Sequence, residues 1–286
     1  MDFKPKAGRY LVVYLLFYWN LYLLATPQQA KLEGKLMNQQ NKTVIVTGVS
    51  SHKGIGAAIC RKLAIRNFNI FFTYWDAEPH WEKVFSKEIS EIGVVCKGLE
   101  ADLSDVQSAE KVLESAALTV GKPMILVNNA AHSTRDGYLE LDAKTLDAHY
   151  AVNMRAVFLL CTEFAKRFPD SNLPYGRIIN MTSGQELGPM PGELAYASTK
   201  AAITAFTRSL STEIAHLGIT VNAINPGPTD STWMDEGIRN HLLPKFPAGR
   251  IGQPEDAANL AAFLASEESK WITGQVIHSE GGFIRG

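Results

Sequence analysis

Short apolar runs alternate with longer helix-forming stretches along most of the chain, and this alternation limits the possible folds more than any other feature. The runs that predict strands are Thr43–Thr47, Asn69–Tyr74, Val94–Lys97, Met124–Asn128, Arg177–Met181, Thr220–Ile224 and Gln275–His278. The stretches that predict helices are Ile55–Arg66, Trp81–Ile92, Ser104–Val120, Ala143–Phe168, Ala195–His216 and Pro254–Ser266. Strands joined by helices indicate βαβ crossovers, so we expect one α/β domain built on a parallel sheet.

A glycine-rich turn joins the first predicted strand to the first predicted helix. Gly48 follows the strand, five residues come next, and Gly54-Ile55-Gly56 opens the helix. Glycines let a backbone approach a pyrophosphate, and a helix N-terminus offers free N–H groups and the positive end of a dipole. Strand, turn and helix in this order are the context of a dinucleotide-binding site, although ordinary βα turns also use glycine.

Two residues farther along the chain suggest acid–base chemistry. Tyr196 and Lys200 are four residues apart in a predicted helix, so their side chains share one face. A nearby ammonium favours the phenolate and lowers the pKa of a tyrosine, which is ordinarily about 10. This spacing is common by chance, and it gains its weight here from the glycine turn upstream.

Seven motifs occur in the order found in the short-chain dehydrogenases/reductases, and the chain resembles that family from about Lys42 onward. They are Thr47-Gly48 with Gly54-Ile55-Gly56, Ala101-Asp102-Leu103, Asn128-Asn129-Ala130, Asn153, Ser183, Tyr196 with Lys200, and Asn225-Pro226-Gly227-Pro228-Thr229. The segments Gly249–Asp256 and Ile272–Gln275 are most similar to the 3-oxoacyl-(acyl carrier protein) reductase group. The resemblance implies a single Rossmann-type, doubly wound parallel sheet over residues 41–286.

The resemblance gives chemical roles to four residues. Tyr196 would donate a proton to a substrate carbonyl as general acid. Ser183, thirteen residues earlier, would hold the reacting oxygen, and Lys200 would hold the nicotinamide ribose and lower the tyrosine pKa.

Asn153 is the fourth of these residues, and it falls within an apolar stripe on a predicted helix. The stripe consists of Leu146, Tyr150, Val157, Leu160 and Phe164. A buried amide must be hydrogen-bonded. The residues alone allow a structural bond to a neighbouring backbone, whereas the resemblance implies that Asn153 positions a proton-relaying water.

The resemblance also implies a set of contacts with a nicotinamide dinucleotide. The expected cofactor-binding residues are Gly48, Ser50, Lys53, Gly54, Ile55, Gly56, Tyr74, Asp102, Leu103, Asn129, Ala130, Tyr196, Lys200, Pro226, Gly227 and Thr229. Asn128 is expected beside Ala130 on the ribose side. On local sequence alone, Asp102 could equally cap a helix, and Pro226-Gly227 could be a plain turn.

Two positions favour NADP(H) over NAD(H). A site that prefers NAD usually has an acid at the end of the second strand. In this chain the family alignment puts Tyr74 at that place, and Asp76 comes two residues later. Lys53, directly before Gly54, is a cation that would pair with a 2′-phosphate.

The chain departs from the family pattern at three places. The glycine turn has five residues between its first two glycines instead of three, so the placement of Ser50 and Lys53 depends on a longer loop. Ala131 stands where glycine is usual and must avoid a positive φ or tolerate it at some cost. Glu280 replaces the usual aspartate of an Asp-Gly-Gly motif. None of these departures removes a catalytic group.

Two irregular segments are expected near the site. Gly184–Glu193 contains three glycines and two prolines, which predicts a loop over the active site. Asp230–Gly249 mixes apolar residues with helix breakers. The resemblance implies a substrate lid there, and a packed surface helix or an oligomer contact is the alternative.

Composition excludes several other functions. The chain has 28 basic and 29 acidic residues, so it has no strong field to attract nucleic acid. Three scattered cysteines and seven histidines form no disulfide framework or zinc pattern, so we expect no catalytic metal and a reducing, cytoplasmic location. The resemblance implies a homodimer or homotetramer that acts on a small carbonyl or alcohol.

Residues 1–40 do not fit the alternating pattern. Lys4, Lys6 and Arg9 precede an apolar run from Tyr10 to Ala25, which is shorter than the ~20 residues needed to span a bilayer as a helix. The segment is translated upstream sequence, a short membrane anchor or a signal peptide with a poor cleavage site. We favour the first interpretation, with Met37 as the natural start, because the residues after it lead directly into the first strand.

Three functions are consistent with these features. The intact catalytic set favours an NADP(H)-dependent enzyme that interconverts a carbonyl and a secondary alcohol, with 3-oxoacyl thioesters among the candidate substrates. The first alternative is a dinucleotide-binding sensor or scaffold without turnover. The second is a membrane-tethered enzyme of lipid metabolism, which requires that residues 10–25 be a genuine anchor.

Overall fold

The computed structural model describes residues 42–231 and 233–285. These residues contain a seven-stranded sheet with the order β3-β2-β1-β4-β5-β6-β7, and all of its pairings are parallel. The strands are β1 (Thr43–Val46), β2 (Asn69–Tyr74), β3 (Cys96–Glu100), β4 (Pro123–Asn128), β5 (Gly176–Met181), β6 (Ile219–Asn225) and β7 (Val276–His278). Residues 1–40 lie outside the described residues, so their three interpretations (translated upstream sequence, membrane anchor or signal peptide) stay predictions.

The helices connect these strands in the expected alternation. They are α1 (Ile55–Ile65), α2 (Trp81–Ser90), α3 (Ser108–Thr119), α4 (Ala143–His149), α5 (Val157–Arg167), α6 (Leu194–Glu213), α7 (Glu236–Leu242) and α8 (Pro254–Leu264). Within residues 42–231 and 233–285, no helix is both long and apolar enough to cross a bilayer.

Helices cover both faces of the sheet, and the central strands are therefore buried on both sides. All four residues of β1 and all seven of β6 are buried. Val44 and Val46 pack with α1 and α8, whereas Ile45 packs with α3, α5 and α6, because successive side chains of a strand point to opposite faces. This two-sided burial explains why the strands are continuous apolar runs in the sequence.

The strand order reverses direction between β1 and β4. Successive crossovers from β1 run outward through β2 and β3, and the chain then returns to β4 on the other side of β1. Ligands of open α/β sheets bind beyond the carboxyl ends of the strands at such a switch point. The glycine turn after β1 and the asparagines that end β4 meet at this edge.

All of the predicted strands and helices are present, and several of their boundaries differ. Strand β3 begins at Cys96 instead of Val94, and α3 begins at Ser108 instead of Ser104. The later helix start has a local cause. The carboxylate of Asp102 accepts from the N–H of Ser104 at 2.8 Å, and that of Asp105 accepts from the N–H of Gln107 at 3.0 Å, so two side-chain turns come before the helix.

The long helix predicted over Ala143–Phe168 contains a π-helical segment, Tyr150–Ala156, between α4 and α5. A π turn holds more residues than an α turn, so it shifts the register between the two ends of the helix. Of the predicted apolar stripe, Val157, Leu160 and Phe164 are buried, but Leu146 is 45% exposed and Tyr150 is 47% exposed. The stripe prediction is therefore wrong for Leu146 and Tyr150, which lie before and at the start of the π segment.

Candidate active site

A cleft of about 1310 Å³ lies at the carboxyl edge of the sheet and contains most of the predicted site residues. Those that line it are Gly48, Ser50, Gly54, Ile55, Tyr74, Asp102, Leu103, Asn129, Ala130, Ser183, Tyr196, Lys200, Pro226, Gly227 and Thr229. Pockets for one small ligand hold roughly 300–1,000 Å³. The cleft is therefore large enough for a dinucleotide together with a substrate.

Four residues that the sequence placed at the site do not line the cleft. Asn128 is 2% exposed, and its Nδ2 donates to Oδ1 of Asn180 at 2.8 Å, so it belongs to the core and not to the ribose side of a cofactor. Gly56 is buried inside α1, Asn153 is fully buried, and Lys53 is exposed outside the cleft wall. The prediction for Asn128 is wrong because the last residue of β4 still points into the sheet interior.

Tyr196, Ser183 and Lys200 meet at the centre of the cleft. Ser183 follows β5, and its side chain is hydrogen-bonded to the Tyr196 hydroxyl. Lys200 lies one helical turn after Tyr196 and is 3% exposed. Its Nζ donates to the carbonyl oxygen of Met181 at 2.9 Å and lies 5.6 Å from the centre of the Tyr196 ring. The ammonium and the phenol therefore share one face of α6, as the four-residue spacing predicts.

Burial controls the ionisation of this pair in the protein alone. Burial raises the pKa of Tyr196 to about 12, while the hydrogen bond from Ser183 acts to lower it. Burial also lowers the pKa of Lys200 to about 8. In the protein alone the pKa of Tyr196 therefore rises, because the loss of water around the phenol raises it more than the hydrogen bond from Ser183 lowers it. The lowering expected from Lys200 together with an oxidised nicotinamide stays a prediction.

Asn153 joins the loop after β4 to the catalytic helix. Its Oδ1 accepts from the N–H of His132 at 2.7 Å, and its Nδ2 donates to the carbonyl of His132 at 2.9 Å. The same Nδ2 donates to the hydroxyl of Thr199 at 3.1 Å, and that hydroxyl donates to the carbonyl of Tyr196 at 2.8 Å. The side chain of Asn153 therefore positions backbone next to the site, and its role in holding a proton-relaying water stays a prediction.

Asp136 holds the start of the helix that carries Tyr196, and the sequence did not reveal it. It is 6% exposed, and its carboxylate accepts from the N–H groups of Leu194 and Ala195 at 2.5 and 2.9 Å. These are the first two residues of α6, directly before Tyr196. Asp136 thus caps the catalytic helix from a different loop, 58 residues earlier in the chain. No local pattern in the sequence indicates a cap of this kind.

The glycine turn fits a dinucleotide pyrophosphate. Gly48 has φ +72°, and a Cβ there would lie 2.5 Å from Cα of Ala130, so only glycine fits. Gly54, by contrast, has open space on its Cβ side up to a carbonyl oxygen at 3.4 Å, and it lines the cleft. Helix α1 begins there without a side-chain cap, so its N–H groups and dipole are available to an anion.

The longer turn, Val49–Lys53, is fastened to the neighbouring elements. Ser50 Oγ donates to the carbonyl of Trp75 at 3.1 Å and accepts from the N–H of Trp75 at 3.2 Å. The ring of His52 contacts the ring of Trp81 with their centres 4.6 Å apart, and Nε1 of Trp81 donates to the carbonyl of Val49 at 2.6 Å. Val49 and His52 are thus fastened to Trp81 of α2, and Ser50 lines the cleft.

The end of β2 carries no acid that faces the cleft. Tyr74 and Trp75 line it, whereas Asp76 is exposed and lies outside it. Burial raises the pKa of Tyr74, and the nearby Glu100 and Glu82 raise it further. The part of the cleft at the end of β2 is thus neutral at Tyr74, with two carboxylates close by.

The segment Asp230–Gly249, which we call the lid, forms part of the cleft wall. It contains α7, and its Trp233, Leu242 and Lys245 line the cleft. Met234, Phe246 and Ile251 form a small hydrophobic cluster that is separate from the two clusters on the faces of the sheet. The catalytic loop, Gly184–Glu193, forms another wall, as predicted. In the part of the chain that the structure describes, no group of His, Cys, Asp or Glu is arranged to hold a metal ion.

The comparisons with known proteins agree with this geometry. The family profile described as enoyl-(acyl carrier protein) reductase matches residues 48–284. The chain belongs to the short-chain dehydrogenase/reductase family of oxidoreductases.

Two curated relatives align with most of this chain. An uncharacterized oxidoreductase of Bacillus subtilis, YjdA, is 62% identical over 251 residues, which are 88% of this chain and 100% of the relative. The 3-oxoacyl-[acyl-carrier-protein] reductase FabG of Escherichia coli is 36% identical over 86% of this chain and 98% of its own length.

Solved structures of family members also match closely. A mutant of a Serratia marcescens short-chain dehydrogenase/reductase has a TM-score of 0.78 and 32% identity, with coverage of 86% of this chain and 98% of that chain. Acetoin dehydrogenase YohF of Salmonella typhimurium has a TM-score of 0.75 and 30% identity, with coverage of 85% and 96%.

We predict that Asp136→Ala will lower both stability and activity. Loss of a helix cap costs about 1–2 kcal/mol in the free energy of unfolding, which urea denaturation measures. Because Tyr196 is in the first turn of α6, kcat should also fall, and Asp136→Asn should lose less of both.

Asp142→Ala is the matched control for this prediction. The Asp142 carboxylate caps α4 by accepting from the N–H of Thr145 at 2.8 Å, and it does not line the cleft. Asp142→Ala should lower the free energy of unfolding by a similar amount and leave kcat unchanged. Equal kcat values for the two alanine variants would show that Asp136 is a structural cap only.

Proposed function

We propose that this oxidoreductase is an NADP(H)-dependent enzyme that interconverts a carbonyl group and a secondary alcohol. The observation that carries the proposal is the meeting of Ser183, Tyr196 and Lys200 in one cleft with an uncapped helix N-terminus. A sensor or scaffold requires the glycine turn but not this catalytic set. A reduced nicotinamide bound in the cleft would supply the hydride for carbonyl reduction.

The protein residues would move and hold the proton. Tyr196 donates its phenolic proton to the carbonyl oxygen as that oxygen gains negative charge, and because its pKa is well above neutral the phenol carries that proton before the reaction. Ser183, already hydrogen-bonded to Tyr196, holds the same oxygen in place. Donors that are fixed in advance at a developing oxyanion commonly account for ~10²–10³ in kcat.

Lys200 would act through its charge. With a pKa of about 8 its side chain is mostly an ammonium at neutral pH and loses that charge at higher pH. A buried ammonium one turn from Tyr196 stabilises negative charge on the phenolate left by proton donation. Lys200 also lines the cleft, where it would bind the ribose of the cofactor.

Preference for NADP(H) is supported by the β2 end and by Lys53. The acid that would bind a ribose 2′-OH is replaced by Tyr74, and Asp76 lies outside the cleft. Lys53 is exposed beside the start of α1. The hydrogen bond from Arg239 lowers the pKa of Asp230, and the charge of the nearby Lys53 adds to that effect. We infer that its ammonium is drawn to a 2′-phosphate when one is present.

The relatives suggest the substrate class. Escherichia coli FabG is named as a 3-oxoacyl-[acyl-carrier-protein] reductase, and Salmonella typhimurium YohF as an acetoin dehydrogenase. The apolar walls formed by Met190, Trp233, Leu242 and Phe283 suit an acyl chain, and we propose a 3-oxoacyl thioester as the substrate. We further propose a cytoplasmic homodimer or homotetramer. The three free, buried cysteines are consistent with the reducing compartment.

A substrate survey tests the proposed activity. Purified protein with NADPH should reduce acetoacetyl thioesters faster than diketones, sugars, steroids or aromatic ketones, as measured by loss of NADPH absorbance. Ser183→Ala should lower kcat/KM by about 100-fold while the Kd for NADPH stays unchanged. Tight NADPH binding without oxidation by any carbonyl would contradict the proposal and favour a sensor.

Lys53→Glu tests the cofactor preference. Reversal of this charge should weaken NADPH binding by at least about tenfold and leave NADH binding nearly unchanged, because only NADPH carries the 2′-phosphate. Lys270→Glu makes the same charge change on the surface outside the cleft and should alter neither Kd. Equal losses for both cofactors in Lys53→Glu would count against the assignment.

A further inference from the structure

The C-terminal tail, Glu280–Arg285, is fastened to the lid. The rings of Phe283 and Phe246 contact each other with centres 5.0 Å apart, and the N–H of Ile284 donates to the carbonyl of Lys245 at 2.9 Å. Both Phe283 and Arg285 line the cleft. The tail is thus part of the wall that faces the substrate end of the site.

Arg285 extends from this tail to the catalytic loop. A Cβ at Gly184 would collide with the guanidinium of Arg285, and one at Gly188 would lie 3.1 Å from its Cδ. The guanidinium therefore covers Gly184, and the aliphatic part of the side chain covers Gly188. The lack of side chains at these two glycines leaves the space that Arg285 occupies.

Glu280 fixes the guanidinium in that position. Nη1 of Arg285 donates to Oε2 of Glu280 at 2.9 Å, and Nη2 donates to Oε1. Nδ2 of Asn225, at the end of β6, also donates to Oε1 at 2.7 Å. The side chain of Glu280 is 8% exposed, so this is a two-point, largely buried ion pair tied to the sheet, and not a surface pair of small value.

Ser183 is the residue directly before Gly184, and few other side chains hold this loop. The Oγ of Ser183 is 4.0 Å from Sδ of Met190, which belongs to this loop. Nε2 of Gln185 donates to the hydroxyl of Thr182 at 3.3 Å and to that of Thr204 at 3.5 Å. Arg208 reaches Glu186 at 3.5 Å, and Arg135 reaches Glu193 at 3.6 Å. The backbone N–H of Asp136 also donates to the carbonyl of Gly192 at 2.9 Å. The side-chain contacts among these are longer and weaker than the ion pair between Arg285 and Glu280.

We propose that Arg285 is a positioning residue that connects the lid and tail to the catalytic loop and so fixes the Ser183 hydroxyl beside Tyr196. The proposal rests on the proposed function, because the reaction it affects is the one described above. Glu280, at the position where the family usually has aspartate, supplies the carboxylate that holds Arg285.

Arg285→Met is the first test. Methionine keeps apolar cover over Gly188 and removes the guanidinium. Because small misplacements near the reacting atoms are costly, we expect kcat to fall by about tenfold. The Kd for NADPH should not change, and amide hydrogen exchange at residues 183–190 should become faster. Arg167→Met, which breaks a pair with Glu163 on α5 outside the cleft, should affect none of the three.

A second variant separates positioning from stability. Arg285→Met leaves the buried carboxylate of Glu280 without its counter-charge, which is itself destabilising. Arg285→Met combined with Glu280→Gln removes both charges and should restore the melting temperature but not kcat. If kcat recovers together with the melting temperature, the role of Arg285 is structural only and the proposal fails.

A double-mutant cycle with Gly184→Ala gives the sharpest test. The new Cβ should displace the guanidinium, so Gly184→Ala should lower kcat about as much as Arg285→Met. Two changes that break one connection do not add, and the double variant should be no slower than either single variant. Additive losses, or wild-type kcat and wild-type exchange in Arg285→Met, would overturn the proposal.

These experiments separate a failure of the proposed function from a failure of the proposed role of Arg285. If the wild-type protein reduces no carbonyl, the proposed function fails, and hydrogen exchange at residues 183–190 still tests the connection. If the wild type is active and Arg285→Met behaves like it in kcat and in exchange, the connection alone is refuted.

Discussion

The site depends on the interlocked carboxyl ends of β1 and β4. The hydroxyl of Thr47 accepts from the N–H groups of Asn129 and Ala130 at 3.0 and 3.1 Å. In return, Nδ2 of Asn129 donates to the carbonyls of Thr47 and Gly48, both at 2.9 Å. These bonds lie at the point where the strand order reverses, so they hold open the crevice in which the glycine turn and the catalytic helix face each other.

From this crevice outward, hydrogen bonds from other elements hold the catalytic helix. Asp136 caps its start, Asn153 reaches it through Thr199, and the hydroxyl of Thr182 donates to the carbonyl of Lys200 at 3.1 Å. Each bond contributes only about 1 kcal/mol to stability. Their common effect is to fix the first two turns of α6, and therefore the positions of Tyr196 and Lys200.

The sequence predicted what is encoded locally. The glycine turn, the Tyr196–Lys200 spacing and the strand–helix alternation depend on residues close together in the chain, and the structure brings those residues into one cleft. Asp136 was missed because its partners are far away in sequence. Asn128 was misassigned because both faces of the sheet are buried, so apolar periodicity cannot show where the last strand residue points.

Two further differences have the same origin in three-dimensional context. The π segment shifted the apolar stripe around Asn153, since no residue type marks a π turn in the sequence. The pKa of Tyr196 rises because of burial, which a four-residue spacing does not reveal. The sequence thus predicted that Tyr196 and Lys200 lie together in one site, and the structure shows how the exclusion of water shifts their pKa values.

The central claim is that the phenol of Tyr196 donates the proton in carbonyl reduction. The most direct measurement compares the single-turnover reduction rate and the Kd for NADPH between the wild-type protein and Tyr196→Phe. Removal of a general acid should lower the rate by ~10²–10⁴ with the Kd nearly unchanged. A Tyr196→Phe protein that reduces the substrate at the wild-type rate would contradict the account.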